Sequence, residues 1–243
     1  MVSSWESIKV DDGVMKLYVS RSDGSGPFPG IVVIQGQNGV NLFIEEITQK
    51  LAAAGYVAVA PDLYHSDSPD CRDDGPTRRA RLRDVSVISD VNATVEFLKR
   101  QRAVDGDRFG IIGFCMGGRV SYLMAAASPA LKAAVDYYGG NILSPWGDGP
   151  APFQRTAEIC CPIMGHFGED DKNPSLEDMR KLDAELTKYS KVHEFYSYAD
   201  TGHAFMDRYS DKYRPHSADV SWSRTLDFFA RHLAQAKAQR AAS

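Results

Sequence analysis

A cysteine framed by glycines, Gly113-Phe114-Cys115-Met116-Gly117-Gly118, follows the apolar run 108–112 and precedes a stretch with helical apolar spacing. This is the pattern of a nucleophile elbow, a strained turn between strand and helix where neighbouring chains pass so close that the positions two before and two after the nucleophile must be very small. Gly113 and Gly117 meet that demand. A thiol at the centre ionises more easily than a hydroxyl and attacks carbonyl carbon well. It needs a base, an acid to orient the base, and donors for an oxyanion; in sites of this kind the acid and the histidine come after the nucleophile in the chain. Two downstream segments satisfy the order, Gly168-Glu169-Asp170-Asp171 and Asp200-Thr201-Gly202-His203, each after a run of strand character. His203 is expected to take the thiol proton and return it to the leaving oxygen. Asp171 is expected to hold the imidazole, because the third position after the strand-ending glycine suits a side chain that must turn back; Glu169 and Asp170 compete for this role. Met116 and Gln37 are expected to supply backbone N–H groups to the oxyanion. His65, His166, His193, His216 and His232 read as structural or solvent-facing.

The elements that must position these groups follow from periodicity. Strands are expected at 14–19, 30–34, 56–60, 108–112, 133–138, 161–167 and 192–198, several of them continuous apolar runs of the kind covered on both faces in a parallel sheet. Helices are expected between them. Ile44, Ile47, Leu51 and Ala54 form one apolar stripe, closed by Gly55. Val85, Ile88, Val91, Val95 and Leu98 form another, in a helical stretch starting at Thr77. Val120, Leu123, Met124 and Ala127 follow the elbow; Leu176, Met179, Leu182 and Leu186 mark a further helix, and Trp222, Leu226, Phe229 and Leu233 the last. Alternating strands and helices predict an α/β class, a mainly parallel central sheet with helices on both faces. Right-handed crossovers then gather the strand C-terminal ends, and so Cys115, the Gly36 loop, Asp171 and His203, on one rim. The polar segment 62–76 reads as a long surface loop. The cluster Arg78, Arg79, Arg81 and Arg83 reads as a solvated helix start.

At 243 residues, without an abrupt change in composition, the chain is expected to form one domain, with its core over roughly 8–235 and a fraying tail at 236–243. A formal net charge of -4 argues against a nucleic-acid partner. The N-terminal stretch lacks an apolar segment of signal-peptide length and no run approaches a membrane span, so no membrane partner and a cytoplasmic location are expected. The cysteines at 71, 115, 160 and 161 have no C-x-x-C spacing, which points away from zinc or a dithiol motif. Cys160 and Cys161 read as buried packing residues and Cys71 as a surface thiol. Monomer and dimer are both compatible with the sequence.

Several stretches together resemble the dienelactone hydrolase family, a cysteine-using branch of the α/β-hydrolases. They are Ile34-Gln35-Gly36-Gln37-Asn38-Gly39-Val40-Asn41, Gly55-Tyr56-Val57-Ala58-Val59-Ala60-Pro61-Asp62-Leu63-Tyr64, the 113–118 turn, Tyr138-Gly139, 168–171 and Gly202-His203-Ala204-Phe205. The resemblance spans roughly residues 30–230. It implies the α/β-hydrolase fold and hydrolysis of a small-molecule ester or lactone through a thioester on Cys115, with Asp171 and His203. It also implies Tyr64, Tyr138 and Phe205 near the pocket, and no metal or organic cofactor. The best-known members carry a glutamate where this chain has Gly36, and an arginine for a substrate carboxylate shortly after the Pro-Asp-Leu-Tyr motif, where this chain has His65-Ser66. Arg208 is the candidate to take over part of that arginine's role. The same scaffold also supports acyl transfer to an acceptor other than water, carbon–carbon bond hydrolysis, or a non-catalytic binding or redox-sensing protein.

Overall fold

The uninterrupted apolar runs form the middle of an eight-stranded sheet in the computed structural model, which describes residues 1–68 and 70–234. β1 (Val2–Val10) and β2 (Gly13–Arg21) form a hairpin. β3 (Phe28–Ile34), β4 (Val57–Pro61), β5 (Val104–Phe114), β6 (Leu131–Tyr137), β7 (Ile163–Gly168) and β8 (His193–Tyr198) complete the sheet in the order β1-β2-β4-β3-β5-β6-β7-β8. The β1–β2 and β2–β4 pairings are antiparallel and all the others parallel. The helices are α1 (Leu42–Ala53), α2 (Gly75–Arg81), α3 (Asp84–Lys99), α4 (Met116–Ala127), α5 (Leu176–Lys188) and α6 (Pro215–His232).

Alternation along β3 explains the layering. Ile31 and Val33 join Ile44, Ile47 and Leu51 of α1 and Phe228 and Phe229 of α6 on one face of the sheet. Val32 and Ile34 join Val87, Val91 and Val95 of α3, Val120 of α4 and Leu182 of α5 on the other. Each fully buried branched side chain stabilises the fold by roughly 1.5–3 kcal/mol, so neither face can be left uncovered. The register of the central strands sets the site. Ile34 pairs with Gly113 and Phe114 with Tyr137, which brings the ends of β3, β5 and β6 side by side.

Four local expectations change. A strand, β1, precedes the expected first strand; its inward-side positions include Ser4 and Glu6, and it is an edge strand paired only with β2, so its apolar pattern is weak. The helical stretch starting at Thr77 is two helices, broken at Leu82 and Arg83, and Val85 is 78% exposed while Val87, Val91, Val95 and Leu98 face the core. The deepest face of α6 is Ser221, Thr225, Phe228 and Phe229, with Trp222 and Leu226 half-buried, because Thr225 bonds the buried Tyr137 hydroxyl at 2.8 Å and His166 at 3.1 Å. Cys161 is buried but Cys160 is exposed, its thiol directed at the Ala125 carbonyl. The tail 236–243 lies outside the described residues. Among those described, no helix is long and apolar enough to cross a membrane.

Candidate active site

Close packing at the end of β5 dictates the turn that carries Cys115. Its φ of 59° lies in the left-handed region, a conformation an L-residue keeps only where its surroundings enforce it. A Cβ at Gly113 would overlap the Gly117 carbonyl, and one at Gly117 would run into the Ile34 and Gln35 carbonyls. Cys115 is tied down by its N–H, which donates to the Tyr137 carbonyl at 3.0 Å. The turn opens directly into α4, whose first N–H, that of Met116, is directed at the thiol.

Three strand ends complete the constellation. Past β7, Asp171 is 6% exposed and accepts the Asn173 N–H at 2.9 Å through Oδ1, which leaves Oδ2 for His203 Nδ1 at 2.7 Å. Its neighbours point elsewhere: Glu169 accepts the Ser197 hydroxyl, and only the backbone of Asp170 is engaged, its N–H donating to the Thr201 carbonyl. Burial favours a neutral His203 imidazole, yet Asp171 and Cys115 together lift its pKa to about 10. Burial likewise opposes ionisation of Cys115, but hydrogen bonding to His203, the imidazolium charge and the N–H groups of Met116 and Gln37 outweigh it and hold the thiol below its ordinary value. The two shifts favour a thiolate–imidazolium pair.

The Gln37 loop is shaped by a tight turn in which the Gly39 N–H donates to the Gly36 carbonyl at 3.1 Å, with Gly39 at φ 80°. Tyr64 braces it from behind: its hydroxyl donates to the Gln37 carbonyl at 3.0 Å and contacts Met116 Sδ at 3.3 Å. The peptide groups that face the thiol are thus held from the protein interior. Two cavities meet at Cys115 and His203. One of about 180 Å³ runs past Gly36, Phe43, Phe114 and Tyr138. The other, of about 310 Å³, runs past Arg79, Asn141, Trp146 and Asn173. A half-buried thiol with a lowered pKa, an oriented imidazole, two convergent N–H groups and an adjoining cavity can add to an acyl carbon and hold the oxyanion that results.

With this geometry in place, comparison with known proteins gives the lineage. The model of the dienelactone hydrolase family matches residues 15–233. The chain belongs to the dienelactone hydrolase family. It is 32% identical over 242 residues to a Methylorubrum extorquens "putative carboxymethylenebutenolidase", covering 96% of this chain and 82% of that one. To a Bradyrhizobium "probable 2-oxo-3-(5-oxofuran-2-ylidene)propanoate lactonase" it is 33% identical, with 94% of each chain covered. Among solved structures, a "putative dienelactone hydrolase" from Klebsiella pneumoniae superposes with a TM-score of 0.88 at 30% identity, over 95% of this chain and 98% of that one. The protein is therefore a hydrolase with the α/β-hydrolase fold.

Within this dienelactone hydrolase family member, the other expected site residues fall into two groups. Gly36 and Tyr138 line the smaller cavity, and the Tyr138 ring lies 5.0 Å from His203. Tyr64 and Phe205 line neither cavity that contains Cys115. Tyr64 is 3% exposed behind the Gln37 loop, and Phe205, fully buried, packs on Tyr137, Tyr138 and Tyr198. Arg208 is also displaced from the expected place: it pairs with Glu46 at 2.7 Å on a separate groove. Three contributors had no sequence signal strong enough to find. Lys212 borders both cavities from the segment after His203. Asp136, fully buried, accepts the Gly139 N–H at 2.7 Å and so shapes the turn that presents Tyr138; burial pushes its carboxyl up to about 7. Arg119, fully buried, anchors the loop carrying Asn141 and Trp146. Among the described residues, Asp12, His65 and Asp90 are the one group with ligand atoms close enough for a cation, within 4.8 Å. That group is outside both cavities, and His65 Nε2 there is 3.1 Å from the Asp90 carboxylate.

Proposed function

We propose that the protein hydrolyses a small ester or lactone through a thioester on Cys115, with His203 and Asp171 completing a triad. The observation that carries this reading is the alignment at Cys115: a thiol in a left-handed turn, facing both His203 and the N–H groups of Met116 and Gln37, with His203 Nδ1 already held by Asp171 at 2.7 Å. The thiolate adds to the acyl carbon, and the carbonyl oxygen takes up negative charge against the two N–H groups. As the C–O bond breaks, His203 gives its Nε2 proton to the leaving alkoxide; in a lactone that alkoxide stays tethered to the acyl part. His203, now neutral, draws a proton from water as the water attacks the thioester. Collapse of that adduct expels the thiolate beside the re-formed imidazolium and releases the acid. The name of the Bradyrhizobium relative, a lactonase, supports placing a lactone among the substrates.

A panel of simple lactones and activated aryl esters, assayed with the wild type and Cys115→Ala, tests the reading. Turnover by the wild type and its loss in the variant are expected, together with a mass increase on Cys115 when a slow ester is trapped by acid. Unchanged turnover in Cys115→Ala would sink it. Product analysis with added alcohols, amines and thiols identifies the acyl acceptor, water being expected.

A further inference from the structure

The four arginines that read from the sequence as one solvated helix start are divided by the structure. Arg78 and Arg81 turn to the preceding loop, where both pair with Asp67 and Arg81 also pairs with Asp73. Arg79 and Arg83 face the opposite way, and among the described residues neither forms a salt bridge; Arg83 donates only to the carbonyls that end α2. Both line a groove of about 540 Å³ between α2 and the 141–148 loop. This groove is continuous with the cavity at Cys115, since Arg79, Asn141 and Trp146 border both. Lys172 and Lys212 border the cavity at Cys115 together with Arg79 and are likewise free of salt bridges among the described residues, while the one carboxylate there, Asp171, is bonded to His203, so unpaired cations line both the cavity and the groove. In a chain of net charge -4 that bias is local.

The wall opposite α2 is built rather than loose. Although 141–148 has no helix or strand, the buried Arg119 guanidinium donates to the carbonyls of Asn141 at 3.2 Å and Ser144 at 2.7 Å. It lies 3.9 Å from the centre of the Trp146 ring. Arg119 is fixed in turn by two bonds to Asp84, whose Oδ2 also accepts the Trp146 N–H at 3.0 Å and whose own N–H donates to the Trp146 carbonyl at 2.8 Å. An irregular loop tied so fully to a buried ion pair is preorganised, which is what a binding wall requires.

Resting on the hydrolase reading above, we propose that this groove is an extended substrate subsite, receiving a linear acyl chain that leaves the reacting carbonyl along Trp146 and ends in a carboxylate near Arg83. The substrate class is then a half-ester, or a lactone with a long side arm, whose charged end is several carbons from the scissile bond. Among the described residues, Asp148 is the one carboxylate lining the groove.

The test compares p-nitrophenyl hydrogen suberate with p-nitrophenyl octanoate, chains of equal length that differ in the terminal charge. The ratio of their kcat/KM values is measured in the wild type, in Arg83→Gln and in Ala80→Glu, the last placing a negative charge on the α2 side of the groove. A ratio favouring the suberate in the wild type and falling about tenfold in Ala80→Glu is expected, with a smaller fall in Arg83→Gln. A second arm does not need turnover: calorimetric titration of monomethyl suberate into Cys115→Ala, with and without Ala80→Glu, should show binding weakened by a similar factor. A wild-type preference for the uncharged chain, or ratios and affinities within twofold of one another across the variants, overturns the subsite. If no ester is turned over while the suberate half-ester still binds in an Ala80→Glu-sensitive way, the hydrolase reading fails and the subsite stands.

Discussion

A glutamate introduced at Gly36 would place a carboxylate beside the proposed nucleophile, at the position where the best-known family members carry one. The site accepts it sterically: a Cβ on Gly36 meets Phe114 O at 3.6 Å and Cys115 Cβ at 3.8 Å, ordinary contacts, and the backbone there is not left-handed. From such a Cβ the carboxylate reaches to about 5 Å from the sulfur. Two like charges at that distance repel by roughly 3 kcal/mol at an effective dielectric constant of about 20, and the open cavity mouth reduces this to roughly half. At 1.36 kcal/mol per pKa unit the thiol should rise by about 1–2 pH units, against the depression that His203 and the two N–H groups produce. Iodoacetamide alkylation of Cys115 followed by mass spectrometry across pH reads this directly. The midpoint should move upward in Gly36→Glu, and alkylation at pH below both midpoints should slow by about 10- to 100-fold, since the thiolate is the reactive form. A folded Gly36→Glu protein with an unmoved midpoint would refute the placement of the sulfur next to this loop. In the native chain Gly36 sets no carboxylate beside Cys115, so nothing on this loop opposes the lowering of the thiol by His203 and the two N–H groups.

Four further tests probe the site and the structure that holds it. With the thiol depressed and His203 raised to about 10, kcat/KM for an activated ester should rise as pH passes the lowered thiol value and fall as His203 loses its proton near pH 10. Asp171→Asn should lower kcat by about 10²- to 10⁴-fold and draw that alkaline fall downward, because the charge that sustains the imidazolium is gone; a profile unchanged in shape contradicts the assignment. Asp84→Ala leaves the fully buried Arg119 guanidinium without its counter-ion, which should destabilise the protein by about 3–5 kcal/mol in urea unfolding. Tyr64→Phe removes the hydroxyl that restrains the Gln37 carbonyl, and kcat should drop by about tenfold with KM little changed, a loss of roughly 1.4 kcal/mol of oxyanion stabilisation.

The parts of this protein that were legible in the sequence are those set by local chemistry. Short, β-branched apolar runs bounded by turn residues, such as Gly30-Ile31-Val32-Val33-Ile34, suit strands buried on both faces, and seven of the eight strands carried such a signal or a clear alternation. The missed strand, β1, is half exposed, and its inner side mixes Ser4 and Glu6 with Ile8 and Val10, so tertiary pairing with β2 decides it. Likewise Val85 matches the helical period of its neighbours but sits beyond a break at Leu82 and Arg83 that no glycine or proline announces.

At the site, the glycines at 113 and 117 are dictated by contacts within a few residues and across one strand pair, so spacing alone revealed them. Direction is another matter. Glu169, Asp170 and Asp171 are consecutive and chemically near-equivalent, and only the fold past β7 determines that the third meets His203 while the first bonds Ser197. Arg208 and Arg79 make the same point from opposite sides. The arginine close in sequence to His203 is drawn away by Glu46, whereas Arg79, far earlier in the chain, borders the cavity because α2 packs beside the rim. Residue types and spacing therefore determined which chemistry this chain can perform, because nucleophile turns and strand interiors are short-range demands. Which charged side chains surround that chemistry was decided by tertiary packing alone, since long side chains go to whichever partner the fold leaves within reach.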